Sequence, residues 1–320
     1  MSWKHGRWAV EHALPLGVID RAEPGRHVGV GDTLATGSSV SLTHRVSGAR
    51  HLGVGAADLA QVMRVRLGQE VARGAVLART GRRFTRAVTS PLDGRIEHLS
   101  AEGDFYIAPI LQRWIVRSTM AGVVTGVSGS AVTVEGDAWM LSGIAAYGPD
   151  AVGELALGVR GSEEELAPHR IDVRLRDRIL VGGARIAAEA VTRAHACGVA
   201  GLVAGAVPAG GLRVVYGDDV AAAGGATRED RPTVLCLVGF GTGPLPPAVF
   251  GPLAALAGSL ATIHVASARL FVFAGPDAVR APAEPYALAL APDFSGVRPA
   301  ALPAADGPPA VNVLPFDAPR

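Results

Sequence analysis

Three groups of residues have types and spacings that could do chemistry. The first is GFGTGP, Gly239 to Pro244, where an apolar strand should give way to a helix. Glycines at such a junction let backbone amides approach a phosphate, and a helix N-terminus attracts anions. The dinucleotide pattern nevertheless breaks twice. Pro244 stands where a third glycine belongs, and Pro246 and Pro247 remove backbone donors at the helix start. No Asp or Glu ends the next strand, LATIHVAS, to hold a ribose. Gly239, Gly241 and Gly243 therefore read first as a tight strand-to-helix turn and second as a ligand loop.

The second group is Asp218 and Asp219 in a polar connection, with His195 and His264 as residues that folding could bring near. Adjacent carboxylates with a histidine suit a divalent cation, but an acid pair in a polar loop is ordinarily solvated, so no metal is expected. His195, on a helix beside Cys197, and His264, inside a strand, read as packed core or interface histidines. The third group is Arg79, Arg82, Arg83 and Arg86, clustered on one hairpin beside Phe84. Guanidinium forks suit carboxylate or phosphate recognition. Only Glu70, Asp93 and Glu97 lie near in sequence to offset them, yet a solvated Arg-rich loop is favoured over an anion site.

What is missing is as informative. Of 30 basic residues, all but Lys4 are arginine. A phosphate loop of the Walker type, a Schiff base, and a biotin or lipoyl carrier each need a lysine, and Lys4 sits in an expected frayed terminus. No cofactor is expected. Cys197 and Cys236 stand alone without CxxC spacing and read as buried, inert thiols. No GxSxG, HExxH or EF-hand pattern is present.

These residues must be positioned by more than one module. The chain has 320 residues, 49% hydrophobic and 18% charged, with 41 Gly and 22 Pro, which describes a folded, turn-rich protein longer than one core usually serves. A net charge of +1 argues against a global field for nucleic acid. Glu11 interrupts any leader-like apolar run in MSWKHGRWAVEHALPLG, so a cytoplasmic address is expected. Arg231 to Arg269 encloses a long uncharged stretch, but Gly239 to Pro247 divides it into pieces of strand or helix length, so no membrane span is expected.

Residues 1–25 form an N-terminal extension, with Trp3 and Trp8 available to pack on a neighbouring domain. Within 26–157 a frame repeats. HVGVGDTLA, His27 to Ala35, matches EVARGAVLA, Glu70 to Ala78, through Val28/Val71, Gly31/Gly74, Leu34/Leu77 and Ala35/Ala78. DGRIEHLS from Asp93 matches AGVVTGVS from Ala121 through Gly94/Gly122, Ile96/Val124 and Leu99/Val127. A turn followed by a strand, twice over, points to a duplicated β-unit. RAVTS and RIEHL, separated by Pro91-Leu92-Asp93-Gly94, predict a β-hairpin.

This region resembles the barrel-sandwich hybrid fold of biotinyl and lipoyl carrier domains, over residues 26 to 110 and on to 157 if AGVVTGVSGSAVTVEGDAWMLSGIAAYG closes the barrel or adds a second. The fold also occurs in non-carrier versions, in membrane-fusion proteins of export pumps and in subunits of redox complexes. In the carriers the acylated lysine sits at a hairpin tip. Here that tip is RTGRRFTR, so Arg82, Arg83 and Phe84 fall where the lysine would be, and biotin and lipoate are argued against.

Residues 158–170, GVRGSEEELAPHR, read as a linker. Residues 171–275 then alternate strand and helix: ILVGG, ARIAAEAVTRAHACG, VAGLVAG, PTVLCLVGFGTG, PPAVFGPLAALAG, LATIHVAS and RLFVFAG. Such alternation predicts a small α/β domain with a parallel or mixed sheet. Residues 276–320 are a Pro/Ala-rich β segment or tail. The fold class is thus α+β and multidomain, and the order of modules is similar to that of bacterial proteins, a likeness that carries no activity with it. Two functions remain. One is a non-enzymatic interaction or scaffold protein with a protein partner or self-association, and without nucleic acid. The other is a small-molecule or nucleotide-binding protein or enzyme using the α/β domain.

Overall fold

The computed structural model describes residues 3–81, 85–216, 232–241 and 243–279. All of them belong to one compact unit, Met1–Tyr286. Arg82, Arg83, Phe84, Asp218, Asp219 and the segment from 280 onward lie outside the described residues.

The first half is almost entirely strand. It holds β1 (Lys4–Ala13), β2 (Val18–Arg21), β3 (His27–Val28), β4 (Thr33–Val40) and β5 (His44–Ser47), then two short helices, α1 (Gly48–Leu52) and α2 (Ala56–Val62). Strands β6 (Glu70–Val71), β7 (Val76–Thr80), β8 (Arg86–Thr89), β9 (Gly94–Leu99), β10 (Asp104–Ala108), β11 (Ile110–Arg117), β12 (Gly122–Val127) and β13 (Ala131–Ser142) follow. The second half alternates. It runs through β14 (Ala145–Tyr147), β15 (Ala151–Leu157), β16 (Glu165–Leu166), β17 (Arg178–Val181), β18 (Arg185–Ile186) and α3 (Ala188–Ala196). It continues with β19 (Gly201–Val207), α4 (Ala209–Tyr216), β20 (Val234–Phe240), α5 (Pro247–Ala255), β21 (Leu260–His264) and β22 (Arg269–Phe273).

The repeated sequence frame folds the same way twice. Val28 and Val71 are buried ahead of Gly31 (φ +83°) and Gly74 (φ +85°), and Leu34-Ala35 and Leu77-Ala78 are buried after them. These left-handed turns favour glycine because a side chain would strain them. Ser118 and Ser90 occupy matching corners. Gly31 N donates to the Ser118 carbonyl (2.8 Å) and Gly74 N to the Ser90 carbonyl (2.7 Å). Each serine Oγ donates to a carbonyl two residues on, Met120 and Leu92, at 2.6 Å in both. Gly122 then pairs with Val28 as Gly94 pairs with Val71.

One copy is nested in the other. The outer copy joins β3, β4, β11 and β12, and the inner one joins β6, β7, β8 and β9. Residues 41–109 enter between β4 and β11 at the position that residues 81–85 occupy between β7 and β8. The hairpin expected between RAVTS and RIEHL is therefore corrected: β8 pairs with β7, whereas β9 pairs with β10 and β6. The corner at Pro91 to Gly94 passes the chain between sheets, and a Cβ at Gly94 would come within 2.5 Å of the Ala108 carbonyl oxygen. Arg95 fastens the copies together, donating to Glu97 Oε1 (2.6 Å) and Ser38 Oγ (3.0 Å) from a buried position.

The N-terminal extension is structural. All of β1 pairs antiparallel with β13, from Lys4 opposite Met140 to Ala13 opposite Ala131, so Lys4 begins a strand rather than a frayed end. Trp3 is buried with its Nε1 donating to the Val249 carbonyl (3.2 Å) in α5, and its ring lies edge-on to Trp139 (6.5 Å).

The sheet also continues through the expected boundary at 157. Among the described residues its main path is β14-β20-β19-β17-β15-β21-β22-β13-β12-β3. It is mixed, with β15, β17, β19 and β20 mutually parallel and β14, β21 and β22 antiparallel to their neighbours. Helices α3 and α4 bury Val191, Leu212 and Val215 on one face, and α5 buries Val249 and Leu253 on the other. Residues 158–170, expected as a linker, contain β16 with fully buried Leu166, paired in parallel with β18. Leu166 fills the space above Gly158 and Gly182, so this segment packs into the sheet instead of spanning two domains.

Candidate functional site

The carboxyl ends of parallel strands are where open α/β sheets usually hold ligands. Here β15, β17 and β20 end in Gly158, Gly182-Gly183 and Gly239 to Gly243, as a ligand loop would require. Backbone, however, occupies much of that edge. A Cβ at Gly205 would meet the Gly243 carbonyl oxygen at 2.8 Å and that of Ala184 at 3.0 Å. Leu245 N donates to the Ser162 carbonyl, Ala184 N to Glu164, and Gly241 N to Val207. Gly239, inside β20, has φ +156°, and Gly241, just past its end, has φ +106°.

His195 does not join these glycines. It is exposed in the last turn of α3, rather than packed, because the buried stripe of that helix falls on Ala190, Val191 and Ala194. The carbonyl of Gly198 just beyond accepts from Asp177 N at the entry to β17, which places His195 at the opposite end of the sheet from Gly241. Cys197 and Cys236 are buried and free, and burial pushes the Cys236 thiol up to about 12.

His264 meets partners the sequence does not suggest. It lies buried against His12 of β1, and its Nδ1 is 2.7 Å from Ser267 Oγ. His12 Nε2 accepts from Thr119 N (2.9 Å) and lies 3.0 Å from Thr119 Oγ1. Asp150 Oδ1 accepts from Val265 N (2.7 Å) close by. Burial draws both imidazoles down to about 4, with the His264 ring adding to the effect on His12 and the Arg269 guanidinium adding to that on His264. Asp150 is raised, burial outweighing its hydrogen bond and His12. Both rings are neutral at pH 7 and almost fully enclosed, so this cluster joins β1, β13 and β21 rather than facing a substrate.

Of the four inner-hairpin arginines, Arg79 and Arg86 are among the described residues. Arg79 and Arg86 are exposed on adjacent strands, in register with Ala87 and Thr80.

A different surface stands out. The outer copy forms a three-stranded sheet in the order β11-β4-β2. Its inner side is closed by Trp114, whose ring lies where a Cβ on Gly37 would collide and whose Nε1 donates to the Leu16 carbonyl (3.2 Å). Strand β11 exposes Leu111, Gln112, Arg113, Ile115 and Arg117. Of the twelve exposed large apolar side chains among the described residues, five lie on this sheet or its flanking turns: Leu16, Ile19, Leu42, Leu111 and Ile115. Single exposed leucines are ordinary on any protein, whereas several gathered around one small sheet are less usual. A cleft of about 450 Å3 lies beside it, lined by Glu70, Val71, Ala72, Asp93, Gly94, Ile110 and Arg113. Sequence reading passed over these residues, although the period-2 run Leu-x-Arg-x-Ile-x-Arg was legible.

No family model, curated protein or solved structure matches the chain. No helix among the described residues is long and apolar enough to cross a membrane.

Proposed function

We propose that the protein is a non-enzymatic interaction or scaffold protein, built on a nested pair of barrel-sandwich hybrid-like units that lack a carrier lysine. The observation that carries this is the concentration of exposed Leu16, Ile19, Leu42, Leu111 and Ile115 on and around one three-stranded sheet whose inner side is closed by Trp114. Apolar surface on a sheet that is already packed beneath contributes nothing to its own fold, and burying it against a partner is favourable by about 25 cal/mol per Å². The α/β half supports the arrangement mechanically, because β13 pairs with β1, β12 and β22 at once and so ties the outer unit to the parallel strands.

A photo-crosslinking residue placed at Ile115, compared with one at exposed Val173 in the other half, tests the reading in the native host. Defined adducts from position 115, absent at 173 and lost when Leu111 is replaced by Asp, are expected. Equal labelling at both positions overturns it.

A further inference from the structure

The interaction reading can be taken to the chemistry of the partner. Strand β11 ends its sheet: β4 lies on one side, and no strand of the described residues pairs with the other. Among the described residues the amide and carbonyl groups on that side have no ladder partner, and such an edge is a template for an added strand. The cleft of about 450 Å3 separates β11 from β6, the terminal strand of the neighbouring sheet β5-β10-β9-β6. Adjacent strands lie about 4.8 Å apart, and the cleft borders β11 at Ile110 and Arg113.

The side chains define what fits. Leu111 (69% exposed) and Ile115 (50%) alternate with Arg113 and Arg117, and β11 contains no carboxylate. Arg113 is held by Glu70 across the cleft at 2.6 Å, but its side chain is 70% exposed, and so open an ion pair exchanges readily for an incoming carboxylate. Register shifts at Ile110/Gln112 and Val116/Arg117 confine regular pairing to the stretch between them.

We propose that β11 accepts, as an additional strand, an extended segment of another protein that presents apolar and acidic residues in turn at every second position, on one face. Within the regular stretch its apolar residues cover Ile115 and its carboxylates stand opposite Arg113, with Leu111 and Arg117 at the two ends. A second copy of β11 fits poorly. Every antiparallel register that keeps the exposed faces together sets one arginine opposite or diagonal to another, and like charges in those positions repel.

This inference rests on the interaction reading above, and its test separates the two. Labelled peptides matched in length to β11, with Val and Glu, or Val and Lys, taking turns at every second position and Ser between them, are titrated against the full chain by fluorescence anisotropy. Binding of the Glu peptide about tenfold more tightly is expected. Slowed hydrogen exchange from Gln112 to Val116, and reversed preference in Arg113→Glu/Arg117→Glu, are expected with it. Equal affinity for the two peptides, binding without protection of that stretch, or a dimer by sedimentation that Leu111→Lys/Ile115→Lys dissolves would each overturn the proposal. If crosslinks at position 115 survive that failure, the interaction face stands and only the partner's chemistry falls; loss of both removes both.

Discussion

His12 and His264 meet edge to face inside the protein, ring centroids 5.4 Å apart and planes inclined at 62°. Because the Thr119 amide donates to His12 Nε2, the neutral ring carries its proton on Nδ1, and that buried atom has no hydrogen-bond partner. The Asp150 carboxylate and the carbonyls of Val132 and Val10 favour a charged ring, but burial and His264 outweigh them.

Acid should therefore weaken the fold well before its carboxylates titrate. Each ring falls from 6.5 in the unfolded chain to about 4 when folded, so the unfolded state takes up protons first as pH drops. Stability is full above pH 6.5 and is lost as pH falls towards 4, by on the order of 3 kcal/mol per ring. Asp150 acts in the opposite sense, since its raised value makes acid favour the folded state, and it offsets part of the loss. Urea denaturation at pH 7 and pH 4.5, with His12→Gln as the comparison, measures this. A wild-type loss between these pH values no larger than that of the variant, which keeps His264, contradicts it.

The crossing of β12 and β13 should tolerate no side chain. A Cβ on Gly136 would collide with the Ala121 carbonyl oxygen, and one on Gly122 with that of Glu135, backbone against backbone in both cases. Gly136→Ala is expected to cost about 3 kcal/mol or more, whereas Gly25→Ala, strained (φ +85°) but in open space, should cost about 1 kcal/mol. Chemical denaturation of the pair reads out the contrast, and similar losses would disprove the close approach.

Neither thiol should react in the native protein. Both are buried, and the Cys236 thiol, pushed up to about 12, has almost no thiolate at neutral pH. Labelling with a thiol-reactive dye at pH 7.5 should track global unfolding in urea; rapid labelling of Cys236 without denaturant would show an opening of β20 that its full burial excludes.

His195→Ala should be silent. The side chain is exposed at the end of α3, so stability should shift by no more than about 0.5 kcal/mol, as for surface substitutions generally. A larger loss in thermal unfolding would reveal a contact made by this ring.

How far these features could be read from the sequence follows from their range along the chain. Gly31 and Gly74 were legible, with the buried Leu-Ala pairs behind them, because a left-handed turn is a local demand on residue type. The strand and helix order after 171 was legible for the same reason, through hydrophobic periodicity. Partnerships between distant segments were not. Nothing in KHGRWAVEHA names β13 as its partner, and an alternating pattern that serves an edge strand serves equally well for any register. The acidic triplet Glu163 to Glu165 disguised a segment that buries Val159 and Leu166. His12 and His264 read as unrelated because only the return of β21 to the middle of the sheet brings them together.

The nesting of one β-unit within the other gives the protein a socket. Val40 and Ile110, where the inner segment leaves and rejoins the outer copy, are cross-strand partners, and Ser41 N donates to the Pro109 carbonyl at 2.9 Å. Both cut ends thus stand as close as the two sides of a hairpin. An insert with neighbouring termini can be exchanged for another, or for a short turn, without moving the frame that holds it. The inner copy is thus an insert whose two ends meet at a single point of the outer one.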